Sequence, residues 1–314
     1  MRRRDLRAKG PGDLLAVVPE LLGFHPTESL VMVTVGDATD PVHARVDLPV
    51  DDADADAHAD HLTAVARRNG VARAAVVAYG RDAERCTRAG SALGDRLLDA
   101  GIDVVCALRA DGSRWWVLGG SGPGERYDLA THPLTAQSVL DGAVVLGSRE
   151  ELEASLDTAD DVEVERVREL VAATDPPTVA SPWPVDRTRE EESWVQERVR
   201  RFLADGVRLS TEEVARLVSV AACASVRDAA SSLVTRVDAR RHVDLWRDVV
   251  RRTPVGLRAE PAGLLAFAAW LAGDGALAWC AVERALADDP GHRLSGLVAS
   301  ALERGVPPSA WLDS

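Results

Sequence analysis

The sequence is short of several residue types, and each shortage limits what the protein can be. Lysine, asparagine and isoleucine occur once each, as Lys9, Asn69 and Ile102. Arginine, alanine and valine take their places, which is typical of a GC-rich genome, so their abundance carries no functional weight. No apolar run approaches the roughly 18 residues that a membrane-spanning helix needs. The basic start, MRRRDLRAKG, is not followed by the apolar segment of a signal peptide. We therefore expect a cytoplasmic protein with no membrane contact.

Sequence motifs typical of catalytic and cofactor-binding sites are also absent. None of the four cysteines belongs to a CxxC pair; buried thiols act as small hydrophobic groups, and this argues against a zinc site or a disulfide framework. The nucleophile motifs GxSxG and SxxK are absent. The GGSGPG segment at 119–124 lacks the lysine of a phosphate-binding loop. The sequence therefore predicts no cofactor and no metal, and it leaves open whether the protein is an enzyme.

Charge is distributed unevenly along a chain whose net charge is -13. Residues 37–60 hold eight aspartates against one arginine, whereas residues 187–258 hold fifteen arginines against eleven acidic residues. A negative field repels nucleic acid and anionic membranes, so only the second segment offers a basic surface. A helix-turn-helix over 210–236 would need a basic recognition helix, which does not follow. We favour a plain helical hairpin there and do not favour a nucleic acid partner, although association through the arginine-rich segment 187–258 stays open as a third, weaker hypothesis.

The acidic segment DDADADAHADH at 51–61 resembles a metal loop in its spacing. Asp52, Asp54 and Asp56 alternate as calcium ligands do, but Ala57 stands where glycine is required and Thr63 where a bidentate glutamate is required. We predict the start of a helix, where carboxylates are favoured by the helix dipole.

The first half of the sequence predicts an α/β domain with the element order α-β-β-α-β-α-β-β. Apolar residues alternate or run together in the strands and recur at i, i+3 and i+4 in the helices. Such an order gives a mixed sheet with helices on its faces. The predicted elements are helices over 12–22, 52–70 and 82–101, strands over 29–36, 42–50 and 71–80, and a strand pair over 102–120 turning at Asp111-Gly112.

The second half predicts helices alone. Ser148 and Glu151 have the spacing of a capping box, and the proline-rich segment 174–186 is the best domain boundary. The segment ALAWCAVERALADDP is similar to the second helix of a tetratricopeptide repeat, so we expect an α-helical bundle with repeat-like helical hairpins. The predicted domains are an α/β domain over 1–147, a helical extension with a linker over 148–186 and an α-helical domain over 187–314.

Three segments resemble the actinobacterial domain-of-unknown-function family four-one-nine-two. They are DLLAVVPELLGFHPTESLVMV, HPLTAQSVLDGAVVLGSREEL at 132–152 and PAGLLAFAAWLAGDGALAWCAVERALADDP. The resemblance implies a cytoplasmic actinobacterial protein and no particular activity. Members of that family often have a cysteine-containing stretch after the tryptophan strand. The stretch RWWVLGGSGPGERYDLATHP has none, so any metal or redox function of those cysteines should be absent.

The clearest candidate for ligand binding is His25, in the corner between the first helix and the first strand. Gly23 and Pro26 explain the corner itself as a helix end that cannot continue, but the corner does not require a histidine. Loops at strand ends of α/β folds often hold binding sites. We therefore select His25 together with three polar neighbours, Glu28, Ser29 and Asp47, as ligand-binding candidates.

The candidates for contact with another protein are aromatic and basic residues. Trp115 and Trp116 are adjacent in a strand and point to opposite faces, so one of them is expected in the core and the other is a candidate surface residue. Arg227 and Arg236 flank the predicted helical hairpin.

Two hypotheses about function follow. The leading one is a non-enzymatic interaction or regulatory protein that binds a protein partner through its helical domain, because helical repeats offer grooves. The alternative is an enzyme or small-ligand binder with its site at the strand ends near His25. The alternative requires a pocket in which at least one further polar group converges on His25.

Overall fold

The computed structural model describes residues 10–36, 41–140, 144–158, 160–174 and 182–311. The chain divides into two compact units. The first holds residues up to Glu151 together with Arg304–Pro307, and the second holds Leu152–Glu303 and the residues from Pro308 onward. Each unit is described by itself below.

The first unit is built on a six-stranded mixed sheet. Its strand order is β2-β1-β3-β4-β5-β6, and among the neighbours only β3 and β4 are parallel. The strands are β1 (Ser29–Thr34), β2 (His43–Asp47), β3 (Arg73–Tyr79), β4 (Asp103–Ala110), β5 (Arg114–Val117) and β6 (Glu125–Arg126).

Helices cover the sheet because the central strands are apolar on both sides. Leu30, Met32 and Val76 belong to a buried cluster with Leu93 and Leu97 of the following helix. The alternate residues of β1 and β3 are also buried, so both faces are covered. The helices of this part are α1 (Pro11–Leu22), α2 (Asp52–Arg68), α3 (Ala83–Asp99), α4 (Pro133–Leu140) and α5 (Arg149–Ala154), of which the last crosses the boundary between the units.

The first unit includes a segment from far along the chain. The Asn69 side chain donates to the carbonyl of Gly305 at 2.8 Å, and Arg68 donates to the carbonyl of Arg304 at 3.0 Å. Gly305 has φ +60, and a Cβ there would lie 2.4 Å from Val65. Residues 304–307 thereby cover the end of α2.

The second unit is all helical and made of packed helix pairs. The hairpin of α11 and α12 ends its first helix at Gly273 in the left-handed conformation, and Asp274 caps the next by accepting from the Leu277 amide. The helices are α6 (Asp161–Ala172), α7 (Val185–Asp205), α8 (Thr211–Ala221), α9 (Ala224–Ser231), α10 (Ala239–Arg252), α11 (Ala259–Ala272), α12 (Gly275–Asp288) and α13 (Arg293–Glu303), with a short 3-10 helix at Pro308–Ala310.

The predicted fold class, an α/β part followed by packed helices, is confirmed. The predicted order of elements agrees, but β6 and α4 were not predicted. The connection between β1 and β2 and most of the proline-rich linker lie outside the described residues, at 37–40 and 175–181. Within the described part of the chain, no helix has the length and apolar character needed to cross a membrane.

Candidate functional site

The candidate site lies at one edge of the sheet, where several strands begin or end. Because β3 and β4 are parallel, their carboxyl ends meet at this edge. Ser29, the first residue of β1, is in register with Tyr79 at the end of β3 and with Asp47 at the end of β2. In open α/β sheets the carboxyl ends of the strands are where ligands bind.

Two adjoining clefts open at this edge. The first has a volume of about 410 Å³, and we call it the His25 cleft. It is lined by His25, Gly112, Ser113, Tyr127, Asp128, Leu129, Ala130 and Thr135. The second has a volume of about 450 Å³, and we call it the arginine cleft. It is lined by Ser113, Arg114, Arg126, Tyr127 and Asp128. Three residues, Ser113, Tyr127 and Asp128, therefore form a wall common to both.

The backbone around His25 is fixed, whereas its ring is not. Gly23 ends α1 in the left-handed conformation with φ 78, donating its N–H to the carbonyl of Pro19. The amide of His25 donates to the carbonyl of Leu146 at 3.0 Å, and the amide of Leu146 donates to the carbonyl of Gly23 at 2.9 Å. The imidazole is half-buried and makes no side-chain hydrogen bond with any described residue. Corner geometry explains the backbone, and the ring stays available for a ligand.

The common wall is held by the turn between β4 and β5. One carboxylate oxygen of Asp111 accepts from the Ser113 amide at 2.9 Å, from the Ser113 hydroxyl at 3.0 Å and from the Arg114 amide at 2.7 Å. Partial burial acts to raise the pKa of Asp111, but these hydrogen bonds outweigh it and the pKa is lowered. The Tyr127 amide donates to the carbonyl of Ser113, which ties the segment after β6 to this turn.

Two tyrosines lie close together beside the clefts. Burial raises the pKa of Tyr127. Tyr79 is 5% exposed, and its pKa is raised well above the usual value by burial and then by Tyr127. The Tyr79 hydroxyl has no hydrogen-bond partner among the described residues. A buried hydroxyl usually has one, so an unused donor lies next to the wall of the site.

A family model described as Domain of unknown function (DUF4192) matches residues 11–309. The chain belongs to this family. No curated protein and no solved structure matches it. The DUF4192 match spans both units, so the two clefts and the helical unit are parts of the same family domain.

The structure places the other predicted ligand-binding residues at the same edge but outside the lining of the His25 cleft. Ser29 donates to the carbonyl of Thr27 at 2.6 Å and accepts from Arg45 at 2.8 Å, and Arg45 pairs with Asp47 at 2.7 Å. Burial lowers the pKa of Arg45, and Asp47 opposes that change. In this DUF4192 chain these residues form an ion-paired group of their own.

Glu28 lies elsewhere at the edge. It has φ 41, a left-handed conformation that is unusual for a residue with a side chain. Its carboxylate pairs with Arg85 at 2.9 Å, and its carbonyl accepts from the Leu48 amide. Arg85 also donates to the carbonyl of Pro49 at 2.7 Å. These bonds join the end of β2 to α3, so the observed role of Glu28 is to hold that junction.

Tyr127, Asp128 and Ser113 are not among the residues selected from the sequence, although they line the same cleft as His25. The Asp111-Gly112 turn was predicted, and it was the available signal, because a turn after a parallel strand lies at the ligand-binding edge. The segment ERYDLATHP, which follows the glycine-rich loop, has no pattern that predicts a helix.

The two tryptophans of β5 are both half-buried. The Arg109 guanidinium lies over the Trp116 ring, 3.7 Å from its centroid, and the indole N–H donates to the carbonyl of Gly122 at 3.0 Å. Gly124 packs against the same ring so closely that a Cβ would lie 2.3 Å away. The loop that follows β5 therefore covers Trp116. It can pack this closely because Gly124 has no side chain.

The acidic segment pairs with the neighbouring helix. Asp51 caps α2 by accepting from the Asp54 amide. Asp52 pairs with Arg88 at 3.0 Å, and Asp56 and Asp60 pair with Arg96. Across the described residues, no group of three or more histidine, cysteine or acidic side chains has an arrangement that could hold a metal ion.

Of the two predicted contact residues of the helical unit, Arg227 has partners inside that unit. Arg227 pairs with Asp228 at 3.1 Å and with Glu260 at 3.3 Å, and Arg236 also has an interaction partner. Arg227 is therefore held within the unit.

The helical unit also contains a Ser–His–Glu arrangement that resembles a catalytic triad. The Nδ1 of His292 lies 2.8 Å from the Ser295 hydroxyl, and its Nε2 lies 3.1 Å from the Glu260 carboxylate. Ser295 is fully buried, and its own amide also points at Nδ1, 3.4 Å away. A nucleophile must reach its substrate, so this arrangement is better explained as the N-terminal cap of α13.

Gly263→Ala is expected to lower the free energy of unfolding by about 1–3 kcal/mol. A Cβ at Gly263 would lie 2.3 Å from the His292 ring, and Ser295 and Glu260 hold that ring in place. This cost exceeds the gain of about 1 kcal/mol that alanine usually brings to a helix. Denaturant-induced unfolding measures it.

The matched control is Gly296→Ala on α13, where a Cβ would meet nothing within 4 Å. It should stabilise by about 0.5–1 kcal/mol. Shifts of the same sign and size in the two variants would show that the His292 contact does not matter.

Proposed function

We propose that this protein binds a small polar molecule in the His25 cleft. The observation that carries the proposal is that the His25 ring, which makes no side-chain hydrogen bond within the described part of the chain, lines one cleft together with Tyr127, Asp128 and Ser113 at the carboxyl edge of the sheet. The sequence hypothesis of a site near His25 required a pocket that holds at least one further polar group beside the histidine. The further polar groups that line this cleft differ from the ones selected from the sequence.

The size and chemistry of the cleft support a small ligand. Small-molecule sites usually measure about 300–1,000 Å³ and combine apolar walls with a few polar groups that fix orientation. Leu129 and Ala130 supply apolar wall, and Thr135 adds a hydroxyl. Asp128 is turned partly inward to its own loop, since its carboxylate accepts from the Ala130 amide and the Thr131 hydroxyl. The Asp128 carboxylate is thereby fixed before any ligand arrives, which lowers the entropic cost of binding.

A protein partner for the helical unit is the second candidate. The observation that favours it is Trp311, which is 44% exposed and rests edge-on against Phe267 and Trp270 at centroid distances of 4.9 and 6.4 Å. Tryptophan is enriched among the residues that dominate binding energy at interfaces. This candidate ranks second because Arg227, which was expected to face a partner, is engaged inside the unit.

His25→Ala is the variant that tests the first candidate. The purified protein is analysed by native mass spectrometry for co-purified small molecules, and by thermal shift against a set of polar metabolites. We expect a bound or stabilising molecule for the unaltered chain, with affinity about tenfold or more weaker in His25→Ala, since a lost hydrogen bond to a buried polar group costs about 1–3 kcal/mol.

His61→Ala is the control, because His61 is an exposed histidine on α2. It should leave binding unchanged. If His25→Ala and His61→Ala bind equally well, the His25 cleft is not the site. If the unaltered chain retains only a protein, and Trp311→Ala releases it, the second candidate replaces the first.

A further inference from the structure

The arginine cleft contains two like charges in direct register. Arg114 of β5 and Arg126 of β6 are opposite each other in the antiparallel pair, and both line the cleft. Side chains in such pairs have Cβ atoms about 4.5–5.5 Å apart, and like charges placed there destabilise the sheet. An anion bound between the two guanidinium groups would offset this cost.

The described residues do not supply such an anion. Arg114 donates from Nη1 to the carbonyls of Pro123 at 2.7 Å and Gly124 at 2.9 Å. These bonds orient its guanidinium and leave its other N–H groups unused. No described carboxylate pairs with either arginine. The nearest acidic group of the lining, Asp128, accepts from the Ala130 amide and the Thr131 hydroxyl instead.

We propose that Arg114 and Arg126 bind an oxyanion, a carboxylate or a phosphate, of the small molecule whose remainder lies in the His25 cleft. This inference rests on the proposed function, because it names the class of ligand that the same site would take. Guanidinium groups bind both oxyanions through paired, charge-assisted hydrogen bonds. An anion between the two arginines would also remove their repulsion.

The residues around the common wall indicate which chemical groups the rest of the ligand has. Ser113, Tyr127 and Asp128 line both clefts, so the two clefts adjoin and a ligand that spans these shared residues reaches both. In the His25 cleft the polar groups are the His25 ring, the Asp128 carboxylate and the Thr135 hydroxyl, while the Tyr127 hydroxyl is bonded to the backbone of Gly112. These groups fit hydroxyl or amino substituents. The ligand class is therefore a small molecule with one oxyanion and neighbouring hydroxyl or amino groups.

The test measures the binding of two simple probes to the full chain. Thermal unfolding and titration calorimetry are run with inorganic phosphate and with acetate, each against sodium chloride at matched ionic strength. We expect phosphate, acetate or both to stabilise the unaltered chain, and the probe that does so identifies the oxyanion. Arg126→Gln should weaken that binding by about tenfold or more, since hydrogen bonds to charged groups contribute about 1.5–3 kcal/mol.

A second measurement separates loss of binding from loss of folding. Because Arg126→Gln removes the repulsion, its melting temperature in chloride should be equal to or above that of the unaltered chain, while its response to the probe is lost. Arg73→Gln is the control, because Arg73 is an exposed arginine at the start of β3, at the opposite edge of the sheet. It should keep the full response.

Two results would overturn the inference: no response of the unaltered chain to either probe, or an equal response in Arg126→Gln. The His25→Ala variant distinguishes this failure from failure of the proposed function. It should lose the co-purified molecule yet still bind the simple anion. A small molecule that depends on His25 but not on Arg126 would leave the proposed function standing and remove only the oxyanion.

Discussion

Replacing Arg252 with methionine is expected to lower the free energy of unfolding of the helical unit by about 3–5 kcal/mol, the usual cost of breaking a buried ion pair. Arg252 on α10 is 5% exposed. Its guanidinium donates to Glu163 of α6 at 2.8 Å, to Asp248 at 3.0 Å and to the carbonyl of Leu209 at 2.8 Å. Methionine keeps a similar volume but removes the Arg252 donor from all three acceptors, so that Glu163 keeps its bond from Thr211 and Asp248 its pair with Arg208.

The neighbouring residue gives a matched control. Arg251 makes one long bond to the carbonyl of Asp157, at 3.3 Å. Arg251→Met should change stability by no more than about 0.5 kcal/mol, as surface substitutions usually do. Tryptophan fluorescence during urea unfolding follows both variants, since six of the eight tryptophans belong to the helical unit. Equal destabilisation by the two variants would contradict the assigned role of Arg252.

The same ion pair has a pH signature. Partial burial acts to raise the pKa of Glu163, but the hydrogen bonds from Arg252 and Thr211 outweigh it, so the pKa is held below the unfolded value of 4.5. A depressed pKa contributes stability that is present above the unfolded value and is lost as the pH falls through the folded value. The unaltered chain should therefore lose more stability between about pH 6 and about pH 4 than Arg252→Met does. An equal loss of stability in the two proteins over this pH range would contradict the role of the Arg252–Glu163 ion pair.

Trp246→Ala should cost about 3–5 kcal/mol of unfolding free energy, because it opens a large cavity in a packed interior. Trp246 on α10 is fully buried. Its indole N–H has no hydrogen-bond partner among the described residues, so the ring stabilises by packing alone. Urea unfolding followed by circular dichroism measures the loss without relying on the fluorescence of the altered residue.

Trp246→Phe provides the comparison. Phenylalanine retains most of the ring and removes the unpartnered N–H, whose burial is unfavourable. We expect it to cost less than half as much as the alanine variant. If both variants lose the same free energy, the indole N–H has a partner that stabilises it, and packing is not the main contribution.

The elements of the fold that follow from sequence are those with a long, regular pattern. The apolar run of β3 and the i, i+3, i+4 spacing of α2 each predict one conformation, because a covered strand and a half-buried helix place their apolar residues differently. β6 has only two residues, Glu125 and Arg126. Two exposed charged residues carry no period, so pairing with β5 alone makes them a strand.

For the same reason, the sequence predicts only part of the candidate site. His25 stands out because a helix end and a proline already explain its neighbours, which leaves the ring unexplained. Tyr127 and Asp128 are far from it in sequence, and they reach the site only because β5 and β6 fold back to the sheet edge. The sequence shows that both residues are polar, but their position depends on β6, which the sequence does not predict.

The segment 304–307 has a consequence for the order of events during synthesis. Asn69 leaves the ribosome early, but the carbonyl of Gly305 to which it donates is made only after the whole of Leu152–Glu303. The first unit therefore cannot be completed as soon as its own sheet has been translated. Until then the end of α2 is hydrated in place of that contact, and the last contacts of the earlier unit form after the later unit has been made. Gene fragments that stop at the boundary between the units would encode a first unit with an uncovered helix end.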